Sequence, residues 1–326
     1  METLGIIYAI VTVLAWGTWL APSEKVELPN ALARAFYIAV GNLILASVVF
    51  LVVGGAGQLT GDAFLYPFVG GLIWALGALC AFSGIARIGM AKAFGVWAPL
   101  NIIVGIVWGI LLWGEFLNAS TRTILLAVVA VLVIIVGILM IVFSGGTGET
   151  KEDKKALMVG FGGAIGAGVL WGTFFVPSAY FGKDIQASGW VTAFPLALGM
   201  IVGSGILCAL SGKAPKCQSK GDYARVVSSG MLWSVGNFAM LLMVGVIGMG
   251  KGFTIAQMCV VVNSLVGVFI IREPAPGTRA AKLTLFGVVV ATLGGILLGN
   301  LKDAPAGADA ITPEAAVEQT DAEASP

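Results

Sequence analysis

The sequence predicts an all-α integral membrane protein whose ten transmembrane helices form two inverted five-helix repeats. Three observations carry that prediction: an apolar composition, ten apolar segments of spanning length, and an internal repeat. Apolar residues make up 58% of the 326 and charged residues 11%, with a mean hydropathy of +0.99. A water-soluble domain carries about 25% charge. This chain has too few charges to coat a water-facing particle, so lipid must solvate most of it.

A helix rises 1.5 Å per residue, so crossing about 30 Å of hydrocarbon takes about 20 apolar residues. Segments 4–22, 32–54, 65–86, 93–113, 123–143, 157–180, 189–211, 226–248, 252–271 and 282–300 meet that demand, and nearly every charged residue falls between them. The short joins near 87–92 and 249–251 imply tight helical hairpins. Met1-Glu2-Thr3 lacks the basic start of a cleaved signal peptide, so the first segment reads as a retained span. The charged stretch 145–156 reads as a linker between the first repeat, 1–144, and the second, 157–301. Residues 302–326, rich in Ala and Pro with six acids against one Lys, read as a disordered tail. Alternate loops carry 14 and four of the 18 Lys and Arg residues, which places both termini outside the cytoplasm of a cell membrane.

The repeat is visible in three collinear matches. Trp16-Gly17-Thr18-Trp19-Leu20-Ala21-Pro22-Ser23 returns as Trp171-Gly172-Thr173-Phe174-Phe175-Val176-Pro177-Ser178. Gly71, Trp74, Gly77, Ile88, Gly89, Met90, Lys92 and Phe94 return as Gly230, Trp233, Gly236, Ile247, Gly248, Met249, Lys251 and Phe253. Gly109 and Glu115 return as Gly267 and Glu273. Five spans per half is an odd number, so the second half enters the membrane upside down. Inverted halves supply two states of similar energy, open to opposite sides of a midplane site, as in secondary transporters.

These residues resemble the drug/metabolite transporter superfamily, with its EamA-like inverted repeats. Within it the likeness is to the glucose/ribose porters, with the rhamnose–proton symporters nearby. It rests on the Trp-Gly-Thr…Pro-Ser pairs, on Gly71 through Gly77, on Ile88 through Lys92, on Asn101, and on Gly109 through Phe116. The glutamine that often follows Trp-x-x-Gly in sugar porters is Ala78 in the first copy and Asn237 in the second; Asn101 stands where the fourth helix has its glutamine. The resemblance implies a secondary carrier of a small polar solute, a monosaccharide, working by alternating access. Alternatives are an exporter of amino acids or other metabolites, and a non-transporting scaffold or receptor. An enzyme is not expected, since the chain has no His and no cluster of nucleophile and base within its spans. No cofactor or metal is implied, and the coupling ion, H⁺ or Na⁺, is left open. No basic stripe suggests nucleic acid; the partners are the solute and the bilayer, with the chain a monomer or weak homodimer. Cys80, Cys208, Cys217 and Cys259 read as isolated residues, not a disulfide framework.

A sugar site needs aromatic faces for ring C–H groups and amides or hydroxyls for its hydroxyls. Trp97 and Asn101 share a face of the fourth helix with Phe94 and Trp108; Gln257 and Ser264 share one on the ninth; Trp233 and Asn237 align on the eighth. Trp16 with Thr18, Trp171 with Thr173, and Trp74 complete the candidate binding set. The tryptophans could instead be interface anchors, the amides glue between helices, and the threonines bonded to their own helix carbonyls. Pro22 and Pro177 end or kink their helices and could be hinges. Lys92, Lys251, Glu115 and Glu273 sit at equivalent helix ends, as surface anchors or as gate ion pairs.

Overall fold

The computed structural model describes residues 2–113, 119–144, 151–178, 188–247 and 255–301. Among the described residues every regular element is helical. They are α1 (Glu2–Thr18), α2 (Ala31–Val52), α3 (Gly61–Ile88), α4 (Met90–Trp113), α5 (Thr121–Val142), α6 (Lys151–Thr173), α7 (Gly189–Leu210), α8 (Lys220–Ile247), α9 (Cys259–Leu265) and α10 (Arg279–Asn300). Nine of these, all but α9, are long and apolar enough to cross a membrane, as in a multi-pass membrane protein.

Polar residues at the boundaries start the helices by meeting free N–H groups. Asn30, Thr60, Ser120 and Thr278 each accept from the backbone N–H three residues on. Ser219 and Asp222 do so reciprocally, which lets α8 begin at Lys220, six residues before the apolar run. Between α3 and α4 a single residue reverses the chain. Gly89 adopts φ +77°, a conformation open to a residue without Cβ, so the tight hairpin expected near 87–92 is present.

Two expected spans differ. The sixth helix begins at Lys151, inside the charged stretch, and its regular part ends at Thr173. The ninth, expected over 252–271, is a seven-residue α-helix that widens into a π-helical segment, Val266–Ile271. Just before it the ladder tightens: Val260 and Val261 N–H donate to the Gln257 and Met258 carbonyls, three residues back. That tightening separates Gln257 from the regular helix and coincides with its place at the central cavity.

The closest helix pairings cross between halves. α1 packs on α8 and α9, while α6 packs on α3 and α4; α2 lies against α8 and α7, and α7 against α3; α5 pairs with α10. Glycines permit the tightest crossings. A Cβ on Gly41 would sit 2.0 Å from the Val227 carbonyl oxygen and one on Gly230 2.0 Å from that of Ile38. At the corresponding α3–α7 crossing, Gly71 and Gly199 would clash with Leu196 and Phe68 oxygens at 2.2 and 2.0 Å. The main core lies inside the resulting ring, whereas α5 turns Leu125, Val128 and Leu132 outward, where lipid tails leave apolar side chains at no disadvantage.

Candidate functional site

The ring encloses an aromatic cavity. Trp16 and Trp19 of α1, Trp74 of α3, Phe94, Trp97 and Asn101 of α4, Trp171 of α6 and Trp233 of α8 line it. Phe174, Phe175, Gln257 and Cys259 complete the wall. Space for the centre of a water-sized sphere amounts to about 50 Å³, room for a few waters at about 10–15 Å³ each.

The indoles form one connected cluster. Trp16 stacks on Trp233 with centroids 6.1 Å apart, and Trp74 on Trp171 at 5.7 Å. Trp74 meets Trp233 edge-on at 5.3 Å, and Trp97 meets Trp171 likewise at 5.2 Å. Two hydrogen bonds fix the stacks. Trp16 Nε1 donates to the Trp233 carbonyl at 3.2 Å, and Trp171 Nε1 donates to the Trp74 carbonyl at 3.1 Å. Each ring lies over a glycine of the opposing helix: a Cβ on Gly236 would be 2.3 Å from Trp16 Cδ1, and one on Gly77 2.5 Å from Trp171 Cδ1. The Trp-x-x-Gly motif in each repeat thus supplies a carbonyl and a bare surface for an indole from the other half. With their N–H groups occupied, Trp16 and Trp171 offer the cavity only their faces and edges.

The polar part of the wall is an amide pair. Asn101 Nδ2 donates to Gln257 Oε1 at 3.2 Å, while Asn101 Oδ1 is buried with no hydrogen-bond partner among the described residues. No charged side chain lines the cavity among the described residues. A buried unpaired acceptor is costly, on the order of 1–3 kcal/mol, and hydroxyl donors would relieve it.

Of the eleven binding residues expected from sequence, Trp16, Trp74, Trp97, Asn101, Trp171, Trp233 and Gln257 come together here. Thr18 and Thr173 lie outside the lining. Their hydroxyls donate to the Leu14 and Val169 carbonyls one turn back, at 2.8 and 2.7 Å, and Thr173 also accepts from Trp108 Nε1 at 2.9 Å. Asn237 and Ser264 are buried on α8 and α9 but outside the cavity's lining, with Asn237 Nδ2 and Oδ1 and Ser264 Oγ lacking a partner among the described residues. Pro22 sits in the 3₁₀ turn Ala21–Ser23, and Pro177 lies beyond the end of α6. Lys92 is half-buried in the first turn of α4, and Glu273 follows the π segment. Lys251 and Glu115 lie outside the described residues.

Trp19, Phe174, Phe175 and Cys259 join the wall without having been singled out. The repeat held the signal for two of them, since Trp19 and Phe174 are paired positions three residues beyond Trp16 and Trp171. Two further buried amides serve packing. Asn42 Nδ2 donates to Met200 Sδ, and Asn263 Nδ2 to the Gly17 carbonyl, each at 3.1 Å.

Comparison with known proteins agrees with this architecture. A protein from Enterococcus faecalis, named as a candidate sugar uptake protein, is 24% identical over 304 residues, 92% of this chain and all of its own length. Proteins of the same description from Bacillus anthracis and Listeria innocua are each 25% identical over 305 residues, again 92% of this chain. A crystal structure at 19% identity superposes with a TM-score of 0.57 over 91% of this chain and 99% of that one, a likeness of fold. The family model described as sugar transport protein matches residues 7–301, and the chain belongs to that family.

Proposed function

We propose that this protein is a secondary carrier that moves a neutral monosaccharide across a cell membrane by alternating access. The observation that carries the reading is the cavity itself: stacked indoles, one amide pair and no charged side chain among the described lining residues. Aromatic faces suit the C–H surface of a sugar ring, and the amides suit its hydroxyls. A carboxylate or phosphate on the solute would be left without a counter-ion in a low-dielectric site. The relatives' description as candidate sugar uptake proteins supports the same cargo and a transporter, not an enzyme.

Alternating access needs two related bodies, and we assign them to residues 1–144 and 157–301 in inverted orientation. Supporting this, each cross-half pairing has a counterpart: α1 on α8 with α6 on α3, and α2 on α8 with α7 on α3. The indole–carbonyl bonds of Trp16 and Trp171 are likewise reciprocal. The basic-residue count orients both termini outside the cytoplasm.

Counterflow in proteoliposomes tests the reading. Unlabelled glucose, ribose or rhamnose inside should accelerate entry of the same labelled sugar, with pH and Na⁺ gradients applied separately to find any coupling ion. If the sugar panel gives neither counterflow nor binding while amino acids do, the monosaccharide reading is wrong.

A further inference from the structure

Beside the cavity wall, α4 makes a close contact with the π segment that follows α9. A Cβ on Gly267 would lie 2.8 Å from Ala91 Cβ and 3.1 Å from Ala91 N, so the first turn of α4 meets the π segment almost backbone to backbone. Ala91 is three residues before the wall residue Phe94, about 4.5 Å along α4, which sets the contact at the edge of the cavity wall. Glu273 packs beside it: its N–H donates to the Gly267 carbonyl at 3.0 Å, and its Cβ and Oε2 come within 3.6 Å of the Cβ position of Gly89. At the same end, Arg34 donates to the Ser23 Oγ at 3.1 Å and the Val26 carbonyl at 3.0 Å, holding the α1–α2 turn in place. Glu24 in that turn feels both Arg34 and Glu273.

Ala91 packs with Val268, Ala281 and the edge of Leu285, while its neighbours Met90, Ala93 and Phe94 and, across the contact, Val266 belong to the main core, so the contact continues directly from the packing around the cavity.

We propose that the Ala91–Gly267 contact, with Glu273 seated on Gly89, is a closed gate at one mouth of the cavity. It must part for solute to leave by that side. The proposal rests on the carrier reading above and adds where that carrier closes.

The test is a reversible cross-link. An Ala91→Cys/Gly267→Cys protein, reconstituted in proteoliposomes, is compared with itself oxidised and reduced, using labelled glucose, ribose and rhamnose; the native chain under the same oxidation is the control. The disulfide should form once the two elements part by about 1 Å, since their Cβ positions lie 2.8 Å apart and a disulfide needs about 3.8 Å; it should reduce counterflow at least tenfold, and release it on reduction. Failure of the cross-link to form, or a cross-linked protein that transports at the reduced rate, overturns the gate. If the double variant does not fold, Gly267→Leu serves as a wedge. It should reduce counterflow tenfold and expose Cys259, a cavity-wall residue, to a membrane-impermeant maleimide; a wedge variant that transports normally overturns the gate. If the native chain moves none of the sugars while it is folded and monodisperse, the carrier reading fails first and takes the gate with it.

Discussion

The α3–α4 hairpin and the α8–α9 pair occupy corresponding places around the cavity, and they agree in packing while differing in polarity. Each receives an indole from the other half over a glycine, Trp171 over Gly77 and Trp16 over Gly236, and each offers that indole a carbonyl. Yet α8 and α9 bury Ser229, Ser234, Asn237, Asn263 and Ser264, all with an oxygen or nitrogen lacking a partner among the described residues. The corresponding first-half positions are Gly70, Ala75, Ala78, Gly105 and Ile106. Backbone approach demands small residues at fixed places in both halves. Hydrogen-bonding capacity is under no such demand, and more of it has collected behind the α8–α9 side. The wall itself takes one amide from each side, Asn101 and Gln257, so the imbalance lies in the packing around the cavity and not in its lining.

The largest effects should come from the shared feature. Gly77→Leu and Gly236→Leu each drive a side chain into an indole, an overpacking on the order of 1–3 kcal/mol that also displaces a cavity wall. Both should lower the melting temperature in detergent and abolish counterflow to a similar degree; a large inequality would break the equivalence of the two pairs. Next comes the amide pair that joins them. Asn101→Ala and Gln257→Ala should each weaken sugar binding by roughly tenfold or more, about the value of one or two lost hydrogen bonds in a dry site, measured by tryptophan fluorescence titration. Binding unchanged in both variants would reduce the pair to interhelical glue.

The polar asymmetry itself can be reversed. Ala78→Asn should destabilise by about 1–3 kcal/mol, because it places an amide in the fully buried main core. Asn237→Ala should stabilise the empty protein if Asn237 serves packing alone, and should weaken sugar affinity if the second half reads the solute. Thermal melts with and without sugar separate the two.

The smallest effect concerns Glu24. Burial raises its carboxyl pKa above the ordinary value, with Glu273 adding to the rise and Arg34 opposing it. The folded protein therefore holds this proton at higher pH than the unfolded chain. Its contribution is present in acid and is lost as pH rises through the folded pKa. Glu24→Gln should be relatively more stable than the native chain at neutral pH, and that advantage should shrink as pH falls through the raised folded pKa and be gone below the ordinary carboxylate range. Parallel pH–stability curves for the two would show that Glu24 titrates normally.

Much of the cavity's lining was written in the sequence. The four paired tryptophans, Asn101 and Gln257 were legible because aromatic and amide groups at helical spacing are unusual on spanning helices. Thr18 and Thr173 could not be placed that way, since a threonine hydroxyl can satisfy itself on its own helix carbonyl, and here both do. The tightened turn before α9 was equally hidden: residues 252–271 carry no charge and read as one span, and hydropathy is blind to the change of backbone ladder at Gln257.

Hydropathy is a property of each residue and its solvent, and for that reason the sequence by itself determined the membrane class and where nine spanning helices lie, while the ends of the sixth and the starts of the eighth and ninth differ by six or seven residues. The repeat, a pattern of identities, predicted two related halves. Which helix meets which was decided only by the tertiary structure. The bond from Trp16 to Trp233 spans 217 residues, and its partner from Trp171 to Trp74 spans 97. Such contacts depend on shape complementarity between distant surfaces, a glycine on one side and an indole on the other, and neither surface signals its partner along the chain.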